Sequence, residues 1–368
     1  MLNPQLNRQG RLVHLLSTEG LSRALITALL DAADQRVGAD GRLTAASDAS
    51  LAQWQVAVWC EAGVEGLGEG ARLVDGPAGD ALPGLLRGDS VSRLARAATF
   101  LGATLAHWPS DGGVFAQPIM PIDAHSAAGT AAPIASGPFQ PASAWPAPIT
   151  GVSITGASIT SNPLVPDVLV MRHRASGAAH WAARRTPGPR HIVNAGDGTH
   201  EDPVSGLTLV AALRRALPDL TALTVTLVGN LNASAAGRSC LHILTTLGVP
   251  EVRLATPPTL APEVSAALGV QSYVDVDAAL VGADVVVVLP MASAHGNPSR
   301  RLATCEYRAQ YAMSRARLSV ACPGAVVLLA DGLEQGVEVA DDLVPLALND
   351  WGEAVSLAVL QTLIEGEA

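Results

Sequence analysis

Short segments that are continuously apolar and rich in β-branched residues recur along this chain, and helical segments separate them. A strand without polar alternation is covered on both faces, as in a parallel sheet flanked by helices. The strand segments are residues 54–60, 103–108, 167–172, 191–196, 224–230, 251–257, 284–290 and 325–331. The pattern therefore predicts an α/β fold built on parallel sheets.

Helical segments fill the intervals and the end of the chain. Apolar residues at helical spacing predict a first helix within 21–35 and others at 92–101, 203–217, 237–247, 305–313 and 351–364. At usual domain sizes, 368 residues suffice for two domains. We predict two doubly wound parallel-sheet domains, 1–203 and 204–347, and a C-terminal helix in 348–368 that packs back on the first domain.

One segment, from residue 109 to about 166, breaks this alternation. It is rich in Ala, Pro, Ser and Gly and carries almost no charge. Segments of this length without secondary structure are uncommon in compact domains and are either functional or disordered. We interpret it as a mobile insertion, with an ordered role as the alternative.

The basic side chains are 23 arginines, and the chain contains no lysine. This composition excludes a Schiff-base lysine and a P-loop lysine. A formal charge of −10 and a pI near 5.3 argue against a nucleic-acid partner. Four scattered cysteines, with neither a signal-peptide pattern nor an apolar run that could span a bilayer, predict a cytoplasmic protein without membrane contact.

Residues 168–203 contain two recognisable steps, Arg-His after a strand and Asn-Ala-Gly-Asp-Gly after the next strand. These steps resemble the aspartate/ornithine transcarbamoylase family, closest to the aspartate branch. Three further stretches, 14–33, 227–244 and 323–339, agree with the family in order. The resemblance implies a homotrimer with active sites shared between subunits, and a reaction that joins carbamoyl phosphate to an amino-acid amine. It implies no cofactor and suggests dihydroorotase, of pyrimidine biosynthesis, as a partner.

Two arginines stand at family positions that contact the substrates. By resemblance, Arg172 matches the Arg that contacts the carbamoyl group, and His173 follows it as in the family. Arg238 matches an Arg that serves the aspartate carboxylate. Arg172 and Arg238 are therefore the predicted ligand-binding residues, and Arg172 and His173 the residual catalytic positions. The alternatives are structural ion pairs for the arginines and a structural hydrogen bond for His173.

The family's phosphate-binding run, Ser-Thr-Arg-Thr at the start of a helix, has no counterpart here. In one register the chain reads Gly63, Val64, Glu65 and Gly66, so that a carboxylate replaces the guanidinium that faces phosphate. A second register, counted back from Leu101-Gly102-Ala103, places 87–90 (Arg-Gly-Asp-Ser) at the run. Neither register supplies a phosphate site.

Other family positions are also changed. Asp202 stands where a His polarises the carbonyl, and an ionised carboxylate only accepts hydrogen bonds. Ser205 replaces the Gln of the same motif, Pro290 replaces a second carboxylate-binding Arg, and Ala330 lies in the degenerate His-Pro-Leu turn. The family also takes a Lys from the neighbouring subunit, which this chain does not have.

Asp197, His200, Glu201 and Asp202 combine residue types that ligate metals. Their spacing matches no strong zinc pattern, and the family needs no metal, so we predict neither a metal nor a cofactor.

The combined losses favour a catalytically inactive transcarbamoylase-like protein that acts as an oligomeric scaffold or assembly partner. One alternative is an active carbamoyltransferase with a redesigned site and another amine substrate. The other is a two-domain module that senses a small anion.

Overall fold

The computed structural model describes residues 3–44, 50–60, 89–108, 166–184, 189–262, 269–291, 304–334, 336–348 and 350–366. Residues 63–66 and nearly all of the predicted insertion lie outside these ranges.

The first half of the chain forms a four-stranded sheet with helices around it. Its strand order is β2-β1-β3-β4, and every neighbouring pair is parallel. The elements are α1 (Arg23–Asp34), β1 (Gln55–Cys60), α2 (Ser90–Phe100), β2 (Thr104–Trp108), β3 (Val168–His173), α3 (Ala178–Ala183), β4 (His191–Asp197) and α4 (Pro203–Ala216).

The second half forms a five-stranded sheet of order β7-β6-β5-β8-β9, again entirely parallel. Its elements are β5 (Thr224–Val228), α5 (Ala235–Leu247), β6 (Glu251–Ala255), β7 (Gln271–Tyr273), α6 (Val276–Leu280), β8 (Val285–Val288), α7 (Thr304–Tyr311), α8 (Arg315–Leu318), β9 (Val326–Leu329) and α9 (Trp351–Glu365). The prediction of two parallel-sheet α/β units is confirmed.

The last helix, α9, returns to the first sheet, as predicted. It packs against α1, α2 and α4. Trp351 and Leu360 are buried in that contact, and an ion pair joins Glu353 to Arg96 of α2. At the far end, the Asn7 side-chain amide donates to the Gly366 carbonyl oxygen at 3.2 Å. Helix α9 is thereby part of the first unit's core.

Helix α4 links the two units because it is buried along nearly its whole length. Every residue from Pro203 to Leu213 is buried, and the helix contacts α5 and β4 as well as α9. One hydrophobic cluster around it includes Val58 of the first sheet and Val225 of the second. The N-terminus of α4 is therefore held rigidly between the sheets. No helix among the described residues is long and apolar enough to cross a membrane.

A glycine permits a close backbone approach at the carboxyl end of the second sheet. Gly229, directly after β5, has a φ of 130°, a conformation that side chains rarely adopt. A Cβ atom at this position would overlap the carbonyl oxygen of Leu289, which follows β8. The packing of these two strand ends therefore requires glycine.

We expect Gly229→Ala to lower the free energy of unfolding by about 3 kcal/mol, because it adds a backbone overlap to conformational strain. Gly282→Ala is the matched control, since Gly282 has a φ of 72° and no atom within 4 Å of an added Cβ. That control should lose only about 1 kcal/mol. Urea denaturation measures both variants, and equal losses would contradict a close approach at Gly229.

Candidate functional site

Helices α2 and α4 both begin at the carboxyl ends of the strands in the first sheet. In parallel sheets this edge is where ligands bind. Arg172 lies near the end of β3, and the N-cap residues of the two helices, Asp89 and Asp202, both lie beside it. The structure therefore brings together one predicted ligand-binding arginine and one predicted degenerate position.

The start of α2 is occupied by a carboxylate of the chain itself. Asp89 Oδ1 accepts a hydrogen bond from the Ser92 backbone N–H at 2.6 Å, and Asp89 Oδ2 lies 3.5 Å from Arg172 Nη1. A helix N-terminus carries partial positive charge and attracts anions. Asp89 thus takes the place that a bound anion would take.

This arrangement corresponds to the second of the two sequence registers. The helix that opens beside Arg172 starts at Ser90, so Asp89 is the residue that meets the guanidinium. The predicted degenerate positions Gly63, Val64, Glu65 and Gly66 lie outside the described residues. The structural ion pair considered for Arg172 is present, with Asp89 as its partner.

Asp202 forms the centre of a second hydrogen-bonded group. Its Oδ1 accepts from the Ser90 hydroxyl at 2.7 Å and from the Ser205 backbone N–H at 3.0 Å. Part of the residue is accessible to solvent, but protein atoms surround the carboxylate densely. This burial raises the pKa of Asp202, and the nearby Asp331 raises it further, against the opposing effects of the hydrogen bonds and Arg172.

The group extends across to the second sheet through Ser205. The Ser205 hydroxyl donates to Asp331 Oδ2 at 2.6 Å, and Ser90 Oγ lies 2.9 Å from Ser205 Oγ. Asp331 follows β9, so this chain of contacts connects α2, α4 and the second unit. Ser205, predicted only as a degenerate position, is thus the bridge between the two carboxylates.

The contacts between Asp202, Ser90, Ser205 and Asp331 require one more proton than the two serine hydroxyls supply. Two hydroxyl hydrogens serve Ser90 and Ser205, but three oxygen–oxygen contacts join Asp202, Ser90, Ser205 and Asp331. Each hydroxyl donates once, so a third proton completes the series. When Asp202 is protonated it can donate to Ser90 in place of accepting from it, and Ser90 can then donate to Ser205. The raised pKa of Asp202 agrees with that assignment.

The remaining predicted positions contribute little side-chain chemistry. His173 is buried, its Nδ1 accepts from the Ala175 N–H at 2.8 Å, and its ring stacks on Trp59 at 5.1 Å. The structural interpretation of His173 is therefore the one the geometry supports. Pro290 accepts from the Asn230 N–H through its carbonyl, and Ala330 donates its N–H to Val288.

Arg238, on α5, differs from Arg172 in its surroundings. Its Nε is buried and has no hydrogen-bond partner among the described residues. An orphaned guanidinium nitrogen is costly unless a ligand or water pairs with it. Arg238 therefore keeps an unused capacity for an anion, and no ion pair to it is present in the described part of the chain.

Apart from Asp89, Asp202 and Asp331, several polar residues in the turn after β4 are joined by hydrogen bonds. Asp197 is buried and accepts from the Asn194 side chain, the Gly177 N–H and the Glu201 N–H. The hydrogen bond to Asp197 raises the pKa of His200. Burial lowers the pKa of His180, and the neighbouring His200 lowers it further.

Glu201 points away from this turn toward the start of the chain. It accepts from the Thr18 N–H and hydroxyl, both at 2.6 Å, and from the Ser239 hydroxyl at 2.8 Å. Of the four residues weighed as a metal set, Asp197 and His200 lie together, while Glu201 and Asp202 bind other partners.

The second sequence register placed Asp89 and Ser90 at the phosphate run, but it did not predict their contacts with Arg172 and Asp202, and Asp331 was not predicted as part of the site. Asp89-Ser90-Val91-Ser92 is a recognisable N-cap sequence and places the helix start two residues earlier than the predicted 92. The contact between Ser205 and Asp331 left no local signal, since it joins residues 126 apart.

Asp202→Asn should stabilise the protein at pH 8 and have little effect near pH 4. A folded-state pKa above the unfolded value means that ionised Asp202 destabilises the fold increasingly as pH rises through its folded pKa. Asn presents an N–H to Ser90, as the protonated acid would. Asp219→Asn is the control with the opposite sign, because hydrogen bonds from Thr221 lower the pKa of Asp219. Thermal unfolding from pH 4 to 8 measures both, and destabilisation by Asp202→Asn at pH 8 would contradict this assignment.

No protein-family profile matches the sequence, whereas several solved structures match the fold. Ligand-free aspartate transcarbamoylase from Trypanosoma cruzi aligns with a TM-score of 0.59 and 19% identity over 95% of each chain. The same enzyme in complex with N-(phosphonacetyl)-L-aspartic acid gives a TM-score of 0.61 and 17% identity over 95% of each chain. Ornithine carbamoyltransferase from Thermus thermophilus gives 0.61 and 16% over 99% of each chain. The chain therefore has the fold of the aspartate and ornithine transcarbamoylases.

Proposed function

We propose that this chain is a transcarbamoylase-fold protein without carbamoyl transfer activity, and that it serves as an oligomeric scaffold or assembly partner. The observation that carries the proposal is the Asp89 carboxylate at the N-terminus of α2, next to Arg172. The surface that would receive a phosphate group is thereby already occupied by a negative charge.

The electrostatic penalty for phosphate binding supports the proposal. One pair of like unit charges about 4 Å apart costs roughly 4 kcal/mol at an effective dielectric of 20, close to a thousandfold in affinity. Arg172 lies against Asp89, so the two charges largely neutralise each other and the pair offers a phosphate no net attraction. Asp202 and Asp331 add further negative charge or bind a proton.

The hydrogen-bonded residues Asp202, Ser90, Ser205 and Asp331 would stabilise a developing oxyanion poorly. Stabilisation of an oxyanion needs free donors aimed at the reacting oxygen. The Ser205 hydroxyl is committed to Asp331, the Ser90 hydroxyl lies between Asp202 and Ser205, and Asp202 replaces the expected imidazole. A carbamoyl carbonyl placed here would meet acceptors, so catalysis by the family's route is not supported.

The assembly role rests on the resemblance and on the intact fold. The family resemblance suggests a homotrimer and dihydroorotase as the first partner to examine. A core that joins both sheets through α4 and α9 provides a rigid body for such contacts.

Arg238 favours a second candidate, a module that binds a small anion. Its buried, unpartnered Nε is the specific observation, since a carboxylate would satisfy it. An active enzyme with a redesigned site would draw on the same arginine, but Arg172 would first have to separate from Asp89.

Replacement of Asp89 by Ser should create phosphate affinity that the native chain lacks. Serine keeps the N-cap hydrogen bond and removes the charge that faces Arg172. Inorganic phosphate at 10 mM, or a phosphonate–dicarboxylate bisubstrate analogue at 1 mM, should raise the melting temperature of Asp89→Ser and leave the native protein unchanged. Ligand at a hundredfold excess over Kd adds about 2.7 kcal/mol.

Asp275→Ser is the matched control, because Asp275 also caps a helix through its side chain, at α6. It should respond to neither ligand. Stabilisation of the native protein by the bisubstrate analogue would contradict the proposal and favour an inherited ligand site.

The native protein should sediment as a trimer, at three times the chain mass of 37.6 kDa. Sedimentation equilibrium at micromolar concentration measures this, and a monomer would remove the basis of the scaffold proposal. Addition of dihydroorotase should produce a heavier species. An unchanged profile would eliminate that partner while leaving the trimer assignment intact.

A further inference from the structure

We propose that His180, His200 and Asp197 form a binding site for a divalent ion of the Zn²⁺ type. The three side chains each offer a ligand atom, and these atoms all lie within 4.8 Å of one another. Two imidazoles and one carboxylate are ligands that Zn²⁺ accepts, with room for water in the fourth position. The proposal holds whether or not the chain catalyses carbamoyl transfer.

The spacing of His200 and Asp197 suits a shared ion. His200 Nδ1 lies 3.1 Å from Asp197 Oδ1 and 3.2 Å from Oδ2. Two ligand atoms bound tetrahedrally to Zn²⁺ at about 2.0–2.1 Å are separated by roughly 3.3 Å. A small movement therefore lets an ion replace the proton between them.

Asp197 is already held in position by a second layer of contacts. The Asn194 side chain donates to Oδ1 at 2.9 Å, the Gly177 N–H to Oδ2 at 2.8 Å and the Glu201 N–H to Oδ1 at 3.1 Å. Such outer contacts orient metal-binding carboxylates. Because these hydrogen bonds already fix the Asp197 side chain, ion binding would not need to immobilise it.

The charge of Asp197 also lacks a permanent counter-ion. Among the described residues, its only charge-bearing contact is His200, which is cationic only when protonated. A buried carboxylate without a cation is unfavourable. Asp197, Glu201 and Arg238 act electrostatically on His200, and Asp197, Glu201 and Arg184 act on His180. A bound ion would give the Asp197 carboxylate a permanent positive charge in direct contact.

His180 completes the set from the helix α3. Its ring centroid lies 5.5 Å from that of His200, with the rings nearly perpendicular at 73°. No hydrogen bond to the His180 ring is present in the described part of the chain, so its ring nitrogens are available. His180 and His200 are half-buried, which leaves a path for an ion from solvent.

Zn²⁺ binding to untagged, full-length protein tests the proposal by competition with a chromophoric chelator at pH 7.5. We expect one ion per chain, and at least tenfold weaker binding in His180→Ala and in His180→Gln. Replacement of Zn²⁺ by Co²⁺ should give the visible bands of a four- or five-coordinate nitrogen and oxygen site, lost in both variants.

His242→Ala is the matched control, because His242 belongs to the other group of potential ligands, with Glu19 and Glu201. It should bind Zn²⁺ as the native protein does. Absence of binding at 100 µM Zn²⁺ would overturn the proposal. Unchanged affinity in folded His180 variants, or a loss confined to His242→Ala, would overturn it equally.

Discussion

Two neighbouring helix N-termini near Arg172 are capped by carboxylates, Asp89 on α2 and Asp202 on α4. Helix N-termini at the carboxyl edge of a parallel sheet would otherwise be the natural place for an anion. Side chains of the protein itself accept hydrogen bonds from the backbone N–H groups at these termini. These contacts stabilise the helices and occupy the positions where an anionic ligand would bind. Arg172 is drawn into the same arrangement through Asp89. The fold of a transcarbamoylase is thereby combined with carboxylates at both of these helix N-termini.

The second consequence concerns the contact between the two units. Asp202 and Asp331 come from different sheets and are joined through Ser90 and Ser205. One added proton completes the hydrogen bonds and removes the repulsion between the carboxylates. An enzyme that opens and closes on substrates would have to separate such contacts. Here, side chains of the protein itself connect the two units.

Much of the architecture was predictable because buried parallel strands are continuously apolar. The strand 285–288 is four valines, and its identity needed no tertiary information. The strand Gln271–Tyr273 was missed because it is short, polar and partly exposed at the sheet edge. Resemblance identified Arg172, Asp202 and Ser205, and one of its two registers placed Asp89 at the phosphate run, but the contact of Asp89 with Arg172 became visible only in three dimensions. The partnership of Asp331 depends on packing between the sheets, which local patterns do not encode.

We infer that this chain keeps the fold and lacks carbamoyl transfer activity. The decisive measurement is the steady-state formation of carbamoyl aspartate from carbamoyl phosphate and aspartate with purified native protein. We expect a rate no higher than that of the uncatalysed reaction in the same buffer. Turnover at ordinary enzyme rates, about 1 s⁻¹ or faster, would contradict it.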